Sequence, residues 1–365
     1  MHKNLNHLSS AEIETLMQRY YSGDKIAILL KEYDISVHAS MLCRLFPPKV
    51  YPDYKCEYCN QSLVANRGSK TTRGCLQSKS ELYCPKCGHR PFKTGCQCPN
   101  CLEKERMLRI EQQNQIQAYY SQEREPAFFD DLSFENKVFL GALCQCLLQE
   151  DLYEFAPRSG ADVVLAPTED LENKIYDNLL DAQAIAVSPR STLTAFDLED
   201  DEFPASFYLY KVSYYLNLKF PEDKTDMFNR ILDPDYYSND YMQEALDLWK
   251  EIAVAECIEY LLYQLERIKF KFSPGEKTYT TFYIILKDFS VSQVFSIIWR
   301  SVADCSRRYL EGNISKKQAA NGVIGACERF AERAKLNGWD LTPYSRVKAH
   351  HRVPYLSSIS TAFLV

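Results

Sequence analysis

The chain has 365 residues, 46% of them hydrophobic, and a formal net charge of −6 at pH 7. This length and composition are sufficient for two or three domains with buried cores. No uncharged run approaches the roughly 18 residues that a membrane span needs, and the first residues do not resemble a signal peptide. We therefore expect a soluble cytoplasmic protein with no membrane partner.

The charge is divided along the chain. Residues 1–125 carry a net +5, residues 126–299 carry −17, and residues 300–365 carry +6. Within the first zone, residues 44–109 alone carry +8. A local positive field of this kind is typical of a surface that meets phosphate groups. The alternative is that the lysines and arginines only solubilise a small domain.

Residues 9–46 predict three short helices, because their apolar side chains recur at helical spacing. Ser9 is placed to cap the first helix, and Gly23 follows its end. Ser36 is the predicted cap of the third helix, and Pro47 and Pro48 stop it.

This unit resembles a helix-turn-helix of the resolvase and transposase type. The resemblance rests on the sequence Tyr-Tyr-Ser-Gly-Asp-Lys-Ile at 20–26 and on Ile-Ser-Val at 35–37. It implies that the third helix enters the major groove of DNA. The positions that it implies for base contacts are His38, Ser40 and Arg44, with Lys25 and Lys31 near the backbone. A packing or partner-binding domain is the alternative.

Eight of the fourteen cysteines lie between Cys56 and Cys101. Two of the C-x2-C pairs, Cys56 with Cys59 and Cys84 with Cys87, have roughly the separation found in a zinc ribbon. Each pair directs two thiolates at one ion, so the two pairs predict a closed tetrahedral zinc site. In a reducing cytosol, clustered pairs favour metal over disulfides.

A second site is indicated less strongly. Cys96, Cys98 and Cys101 form a C-x-C-x2-C pattern, and either Cys75 or His89 could supply the fourth ligand. The expected number of zinc ions is therefore one or two. Taken alone, His89 is expected to be an ordinary exposed or hydrogen-bonded histidine.

The zinc module is also the basic part of the chain. Residues 47–54 are rich in proline and predict an extended spacer before it. The segment between the two cysteine pairs is rich in Ser and Thr, which suits phosphate contacts or a mobile polar loop. The cations predicted to contact phosphate in this segment are Arg67, Lys70, Arg73 and Lys79.

The fold class predicted for the whole chain is mainly α with minor β. The predicted domains are a three-helix domain (1–48), a zinc module (49–102), a polar connector helix (103–125) and a predominantly helical domain (126–365). Within the last domain, long helices are expected over 241–267, 292–310 and 316–336, and short strands over 163–165 and 184–187.

No specific catalytic motif is present, so the chain is not expected to be an enzyme. Asp162, Glu172 and Lys174 match the minimal spacing of metal-dependent nucleases, but a chain this rich in charge matches such a pattern by chance. The favoured function is binding of nucleic acid, DNA before RNA, by a zinc protein that is a regulator, a mobile-element protein or a bacterial defence component. The alternatives are a protein-binding scaffold and, third, a nuclease-like enzyme.

Overall fold

The computed structural model describes residues 5–72, 78–122, 124–219, 224–233, 241–346 and 354–357. The described chain is mainly helical with two small sheets, which confirms the predicted fold class. It divides into two compact units, Met1–Gln112 (unit 1) and Gln113–Val365 (unit 2). In the part of the chain that is described, no helix combines the length and apolar character required to cross a membrane.

The first helix, α1 (Ser10–Ser22), begins and ends where the sequence predicts. The Ser9 hydroxyl accepts a hydrogen bond from the Glu12 backbone N–H, and the Glu12 carboxylate accepts one from the Ser9 N–H. This reciprocal capping box satisfies two N–H groups that lack helical partners. Gly23 follows the helix with φ of 107°, a conformation that costs glycine nothing. The second helix, α2 (Ile26–Glu32), starts three residues later.

The third helix is much shorter than predicted. It consists of a 3-10 turn at Ala39–Met41 and one α-helical turn, α3 (Leu42–Leu45). Its cap is His38 rather than Ser36, since the His38 imidazole accepts the capping hydrogen bond. Helical backbone is disfavoured at the residue before Pro47, so the chain cannot extend the helix beyond Leu45.

The three helices share one apolar core. Leu16, Leu29 and Leu42, one from each helix, are fully buried in it. Tyr20 packs edge-to-face on Phe46, with ring centroids 5.3 Å apart. Burying these side chains supplies the main stabilisation of the helices, which are too short to be stable alone.

Residues 49–55 form a strand, not the predicted spacer. The strand β1 (Lys49–Lys55) pairs antiparallel with β2 (Ser62–Ala65). The register is irregular between Tyr51 and Lys55, where Pro52 cannot donate a hydrogen bond to the ladder. The extended backbone that the prolines favour is therefore used for pairing within the zinc module.

The polar helix α4 (Pro99–Tyr120) contains the boundary between the two units. It begins before the predicted connector and includes Cys101, so its first turn belongs to the cysteine cluster. Most of its side chains are exposed, as the sequence indicates. Ile116 and Tyr120 are the exceptions, because both are buried in the core of unit 2.

Unit 2 consists mainly of helices, and the predicted strand at 184–187 is confirmed. Its described helices after α4 are α5 (Phe134–Leu147), α6 (Glu169–Asp181), α7 (Lys224–Leu232), α8 (Met242–Arg267), α9 (Glu276–Ile285), α10 (Val291–Leu310) and α11 (Lys316–Leu336). An antiparallel sheet has the strand order β3 (Glu154–Phe155), β5 (Tyr214–Leu216), β4 (Ile185–Val187). The three long helices predicted near the C-terminus correspond to α8, α10 and α11 within a residue or so.

The predicted strand at 163–165 is wrong. The carbonyl groups of Val164 and Leu165 accept hydrogen bonds from the N–H groups of Tyr355 and Leu356, at 3.0 and 3.1 Å. Those donors belong to a short helical turn near the C-terminus, not to a neighbouring strand. An apolar run of three residues indicates burial, but it does not identify the partner.

Two apolar cores lie within unit 2, and α8 contributes to both. Its first half, with Ala245 and Leu248, packs into the core that contains α5, α6 and the sheet. Its second half, with Leu261 and Leu265, packs against α9, α10 and α11. The helix is therefore buried along most of its length, as its apolar character on several sides requires.

Helices α5 and α7 approach closely at Gly141. A Cβ atom at this position would lie 2.8 Å from the backbone carbonyl oxygen of Ile231. Gly322 on α11 provides a matched comparison, because its added Cβ would meet only the Cys305 sulfur, at 3.9 Å.

We expect Gly141→Ala to destabilise unit 2 by about 1–3 kcal/mol, since a backbone must shift to relieve the clash. Gly322→Ala should stabilise it by roughly 0.5–1 kcal/mol, because alanine loses less conformational entropy in a helix. Urea denaturation followed by tryptophan fluorescence measures both, since Trp249, Trp299 and Trp339 all lie in unit 2. Equal effects of the two substitutions would contradict the close approach.

Candidate metal centres and basic surface

The two C-x2-C pairs of unit 1 come together in one cluster, centre A, formed by Cys56, Cys59, Cys84 and Cys87. The Sγ atoms lie 3.6 Å apart for Cys56 and Cys87, 3.2 Å for Cys59 and Cys84, and 3.8 Å for Cys59 and Cys87. A zinc ion with Zn–S bonds of about 2.3 Å would separate tetrahedral sulfurs by about 3.8 Å. The sulfurs are too far apart for disulfides, whose S–S bonds measure about 2.0 Å.

The two pairs of centre A sit on turns of the same design. The backbone N–H of Asn60 donates to the Cys56 carbonyl, and that of Gly88 donates to the Cys84 carbonyl, both at 2.9 Å. Each donor residue has positive φ, 54° at Asn60 and 72° at Gly88. Asparagine and glycine are the residues that adopt this conformation most readily. The sequence therefore builds each turn so that both cysteines of a pair point to the same side.

A second cluster, centre B, is formed by His89, Cys96, Cys98 and Cys101. The His89 Nδ1 atom lies 3.6 Å from the Cys96 sulfur, 3.7 Å from the Cys98 sulfur and 3.2 Å from the Cys101 sulfur. Ordinary Zn–N and Zn–S bond lengths place these atoms about 3.5 Å apart in a tetrahedron. The ligand set is complete with three thiols and one imidazole.

The expectation that His89 is an ordinary histidine does not fit this geometry. Only 4% of His89 is exposed, and its Nδ1 atom faces the three sulfurs. Cys75, the other predicted fourth ligand, lies outside the described residues. His89 follows the second pair of centre A directly, so the turn at Gly88 delivers it to centre B.

Side chains from the first pair of centre A contact centre B. Glu57 Oε1 lies 3.1 Å from His89 Nε2, within ion-pair distance but off the N–H direction. The Tyr58 hydroxyl lies 3.5 Å from the Cys101 sulfur, and its ring packs edge-to-face on the His89 imidazole. Carboxylates beside a metal-binding histidine fix its tautomer and orientation. The two centres are therefore linked through the turn between Cys56 and Cys59.

Backbone hydrogen bonds favour the thiolate form of a cysteine in each centre. Burial acts to raise the pKa of Cys84, but bonds led by the Cys87 backbone N–H lower it to about 6. Burial likewise opposes the lowered pKa of Cys96, which the backbone N–H groups of Cys98 and Arg90 bring to about 6. The thiolate is the form that binds metal.

The residues that the helix-turn-helix resemblance implies for DNA contacts are all exposed. His38 and Ser40 hydrogen-bond each other, with 2.8 Å between Nδ1 and Oγ. Arg44, at the end of the short third helix, makes no ion pair with the described residues. Lys25 and Lys31 lie at the two ends of α2. Their role in binding nucleic acid stays a prediction.

Two of the predicted phosphate-contacting cations instead hold the cysteine-rich segment of residues 49–98, called the ribbon below, against the helices. Arg67 Nε donates to the Pro47 carbonyl at 2.9 Å, and Lys70 Nζ donates to the Asp24 carbonyl at 3.4 Å. The Tyr21 hydroxyl donates to the Gly68 carbonyl at 2.8 Å in the same contact. Both cations are half-buried. Arg73 lies outside the described residues.

The cations of the ribbon are not neutralised by acidic side chains. In the described parts of 44–98, no lysine or arginine forms an ion pair with a carboxylate. Several pack on aromatic rings instead: Lys79 lies 5.5 Å from the Tyr54 ring centroid, and Arg90 lies 5.5 Å from that of Tyr83. Lys79 is exposed, so its charge faces solvent.

The nuclease-like pattern does not form a site. Glu172 pairs with Arg158 at 2.6 Å, whereas Lys174 bonds Glu135 at 2.7 Å and Glu251 at 2.8 Å. Glu172 and Lys174 form separate ion pairs because they are two residues apart on α6, and side chains at that spacing face different sides of a helix. Among the described residues, centres A and B are the clusters with the ligands to hold a metal ion.

Comparisons of the chain with protein-family models, with curated proteins and with solved structures found no match. The two centres and the charge around them are the features that indicate a function.

We expect the purified protein to contain two zinc ions per chain, measured by elemental analysis after removal of loosely bound metal. Cys59→Ser and Cys101→Ser should each reduce the content to about one, because each removes a thiolate from a different closed site. Cys75→Ser is the control and should retain two. Loss of metal from Cys75→Ser, or a single ion in the unmodified protein, would contradict two complete ligand sets.

Glu57→Gln should weaken zinc binding at centre B by up to about tenfold, since it removes the negative charge that lies beside the histidine. Competition with a chromophoric chelator measures the affinity of each ion. Glu81→Gln, which also removes an acid from the ribbon, is the control. If both variants release zinc alike, the contact between Glu57 and His89 does not act on the metal.

Proposed function

We propose that this is a zinc protein that binds nucleic acid through the phosphate backbone, using the exposed cations of unit 1. The observation that carries the proposal is the absence of ion pairs for the ribbon cations in the described parts of 44–98. Cations without carboxylate partners remain free to displace the counterions that surround nucleic acids.

Zinc is the metal that fits the two ligand sets best. Together the centres offer seven thiolates and one imidazole in two compact four-ligand groups. Thiolate-rich tetrahedral sites select zinc or iron–sulfur clusters, and zinc sites accept a histidine in place of one cysteine. Because all four positions of each centre are taken by protein ligands, neither retains an open position for substrate. Their role in this proposal is structural.

Metal binding changes the charge that faces a partner. A zinc ion with four thiolates carries a net −2, and one with three thiolates and a neutral histidine carries −1. The +8 of residues 44–109 therefore becomes about +5 in the loaded protein. The module stays strongly basic even after its own metal centres are counted.

A cavity beside centre B brings two cations close to the N-terminus of a helix. Its volume is about 480 Å³, and its walls include Arg90, Lys93 and the glycine at 95. It also includes Pro99, the first residue of α4, so the positive end of that helix dipole contributes. Cys87, Cys96 and Cys98 also line the cavity, so the negative charge of the loaded centres offsets the field of the two cations and the helix N-terminus.

The three-helix unit contributes little base recognition in this proposal. A recognition helix reads bases from several turns in the major groove, whereas this one has a single α-helical turn. Arg44 is the one cation on it. Binding should therefore depend mainly on phosphates, with weak preference among sequences. A role as a regulator, a mobile-element protein or a defence component is compatible with such binding.

Neutralising Lys55, Lys86 and Lys93 together to glutamine should weaken binding to duplex DNA and reduce the salt slope by about 1 for each lost phosphate contact. All three are exposed and lie outside both ligand sets. Fluorescence anisotropy of the zinc-loaded full-length protein, over a range of salt concentrations, measures affinity and slope. DNA and RNA duplexes and single strands are tested in parallel.

The matched control neutralises Lys271, Lys277 and Lys287, three exposed cations of unit 2. It changes the net charge equally and should leave the slope unchanged. If the unmodified protein does not bind any nucleic acid near physiological salt, the proposal is wrong, and a protein-binding role for the zinc module becomes the better hypothesis.

A further inference from the structure

A cavity of about 580 Å³ lies between α10 and α11 in unit 2, and four arginines line it. The helices form an antiparallel hairpin, joined by a short connection over residues 311–315. The four are Arg300, Arg308, Arg329 and Arg333. This part of the chain is the basic C-terminal zone, which the proposed function of unit 1 does not use.

The arginines converge because of their helical spacing. Arg300 and Arg308 stand eight residues apart on α10, and Arg329 and Arg333 stand four apart on α11. Residues separated by three or four positions share a face of a helix. Each helix therefore directs two guanidinium groups to the side on which the cavity opens.

None of these four guanidinium groups is neutralised by a carboxylate in the described part of unit 2. The one acid in the cavity wall, Asp304, pairs with Arg307 at 2.5 Å, outside the group of four. Like charges on neighbouring turns destabilise a helix. Arg308 and Arg333 stand in the last turns of α10 and α11, where the helix dipole favours a cation, but this effect does not account for Arg300 and Arg329, which lie further from the helix ends.

The wall also contains an aromatic surface. Phe330 lines the cavity, and the Arg300 guanidinium lies 5.5 Å from the centroid of its ring. Trp339 also packs against Phe330, with 5.7 Å between ring centroids and the ring planes tilted by 58°. An aromatic ring beside a guanidinium is a surface on which a nucleobase can stack.

We propose that this cavity binds a ligand with two or more closely spaced phosphate groups. Guanidinium groups match phosphate oxygens in geometry and can bond them in pairs, and arginine keeps its charge at every physiological pH. Four positive charges match a di- or triphosphate better than a single phosphate. The volume lies within the range of pockets for small ligands, roughly 300–1,000 Å³.

Two sources offer this chemistry, a nucleoside polyphosphate and a nucleic-acid backbone. The probes are inorganic tripolyphosphate, ATP, GTP and a short oligonucleotide, titrated calorimetrically into the zinc-loaded full-length protein at about 0.15 M salt. Arg329→Gln with Arg333→Gln should weaken binding at the cavity about tenfold or more, because charge-assisted hydrogen bonds are lost. The control is Arg190→Gln, which removes a single charge at an exposed arginine of unit 2 that does not line the cavity.

Asp304→Asn is a second variant, whose expected effect on binding cannot be produced by loss of folding. It removes the one acid of the cavity wall, so binding should become severalfold tighter while the protein remains folded. Circular dichroism of each variant checks the fold. A gain in affinity cannot result from unfolding.

Nucleotide binding that the double arginine variant weakens and Asp304→Asn strengthens would support a small-molecule ligand. The same pattern for the oligonucleotide alone would support the phosphate chemistry and assign the source to a nucleic acid. The proposal is overturned if none of the probes binds, or if binding is the same in the double variant and in Arg190→Gln. Because the site lies wholly in unit 2, substitutions of the unit 1 lysines do not affect this result.

Discussion

The convergence of eight side chains into two four-ligand groups is the constraint on which the cysteine-rich part of unit 1 depends. Among the described residues of the ribbon, the apolar core is small, with Leu63, Ala65 and Leu82 as its fully buried members apart from the cysteines. So few buried side chains do not offset the entropy of ordering the ribbon. If both groups bind metal, the free energy of coordination becomes free energy of folding. Glu57 then couples the two centres, because it lies in the turn of one and beside the histidine of the other.

Stabilisation by metal coordination allows the surface of the ribbon to carry many charged side chains. A domain held by a large apolar core must commit much of its sequence to that core, whereas these turns need few residues. The ribbon can therefore carry many cations without acidic partners, and it places Arg90 and Lys93 beside the first turn of α4. Unit 2 has the opposite organisation, with two extensive apolar cores and many paired charges. The arginine cavity between α10 and α11 departs from that pattern, which is why it indicates a ligand.

The sequence predicts what short-range spacing determines. The two C-x2-C pairs, the cap at Ser9 and the long helices near the C-terminus follow from local patterns, and the structure has all of them. The sequence does not identify His89 as a ligand, because only the fold of centre A shows that the residue after Gly88 faces a second cluster. The predicted third helix is too long. Apolar periodicity does not show which polar residue caps a helix, and the cap is His38 rather than Ser36. The four arginines could not be predicted as a group, because they come together only when two helices pair.

X-ray absorption at the zinc edge, on the full-length protein, tests the central claim most directly. Seven sulfurs and one nitrogen shared between two ions give an average of 3.5 sulfurs and 0.5 nitrogen per zinc. The expected Zn–S distance is about 2.3 Å, with no oxygen ligand. A first shell with oxygen ligands, or a zinc content near zero with the cysteines oxidised, would contradict two closed centres as the basis of the cysteine-rich part of unit 1.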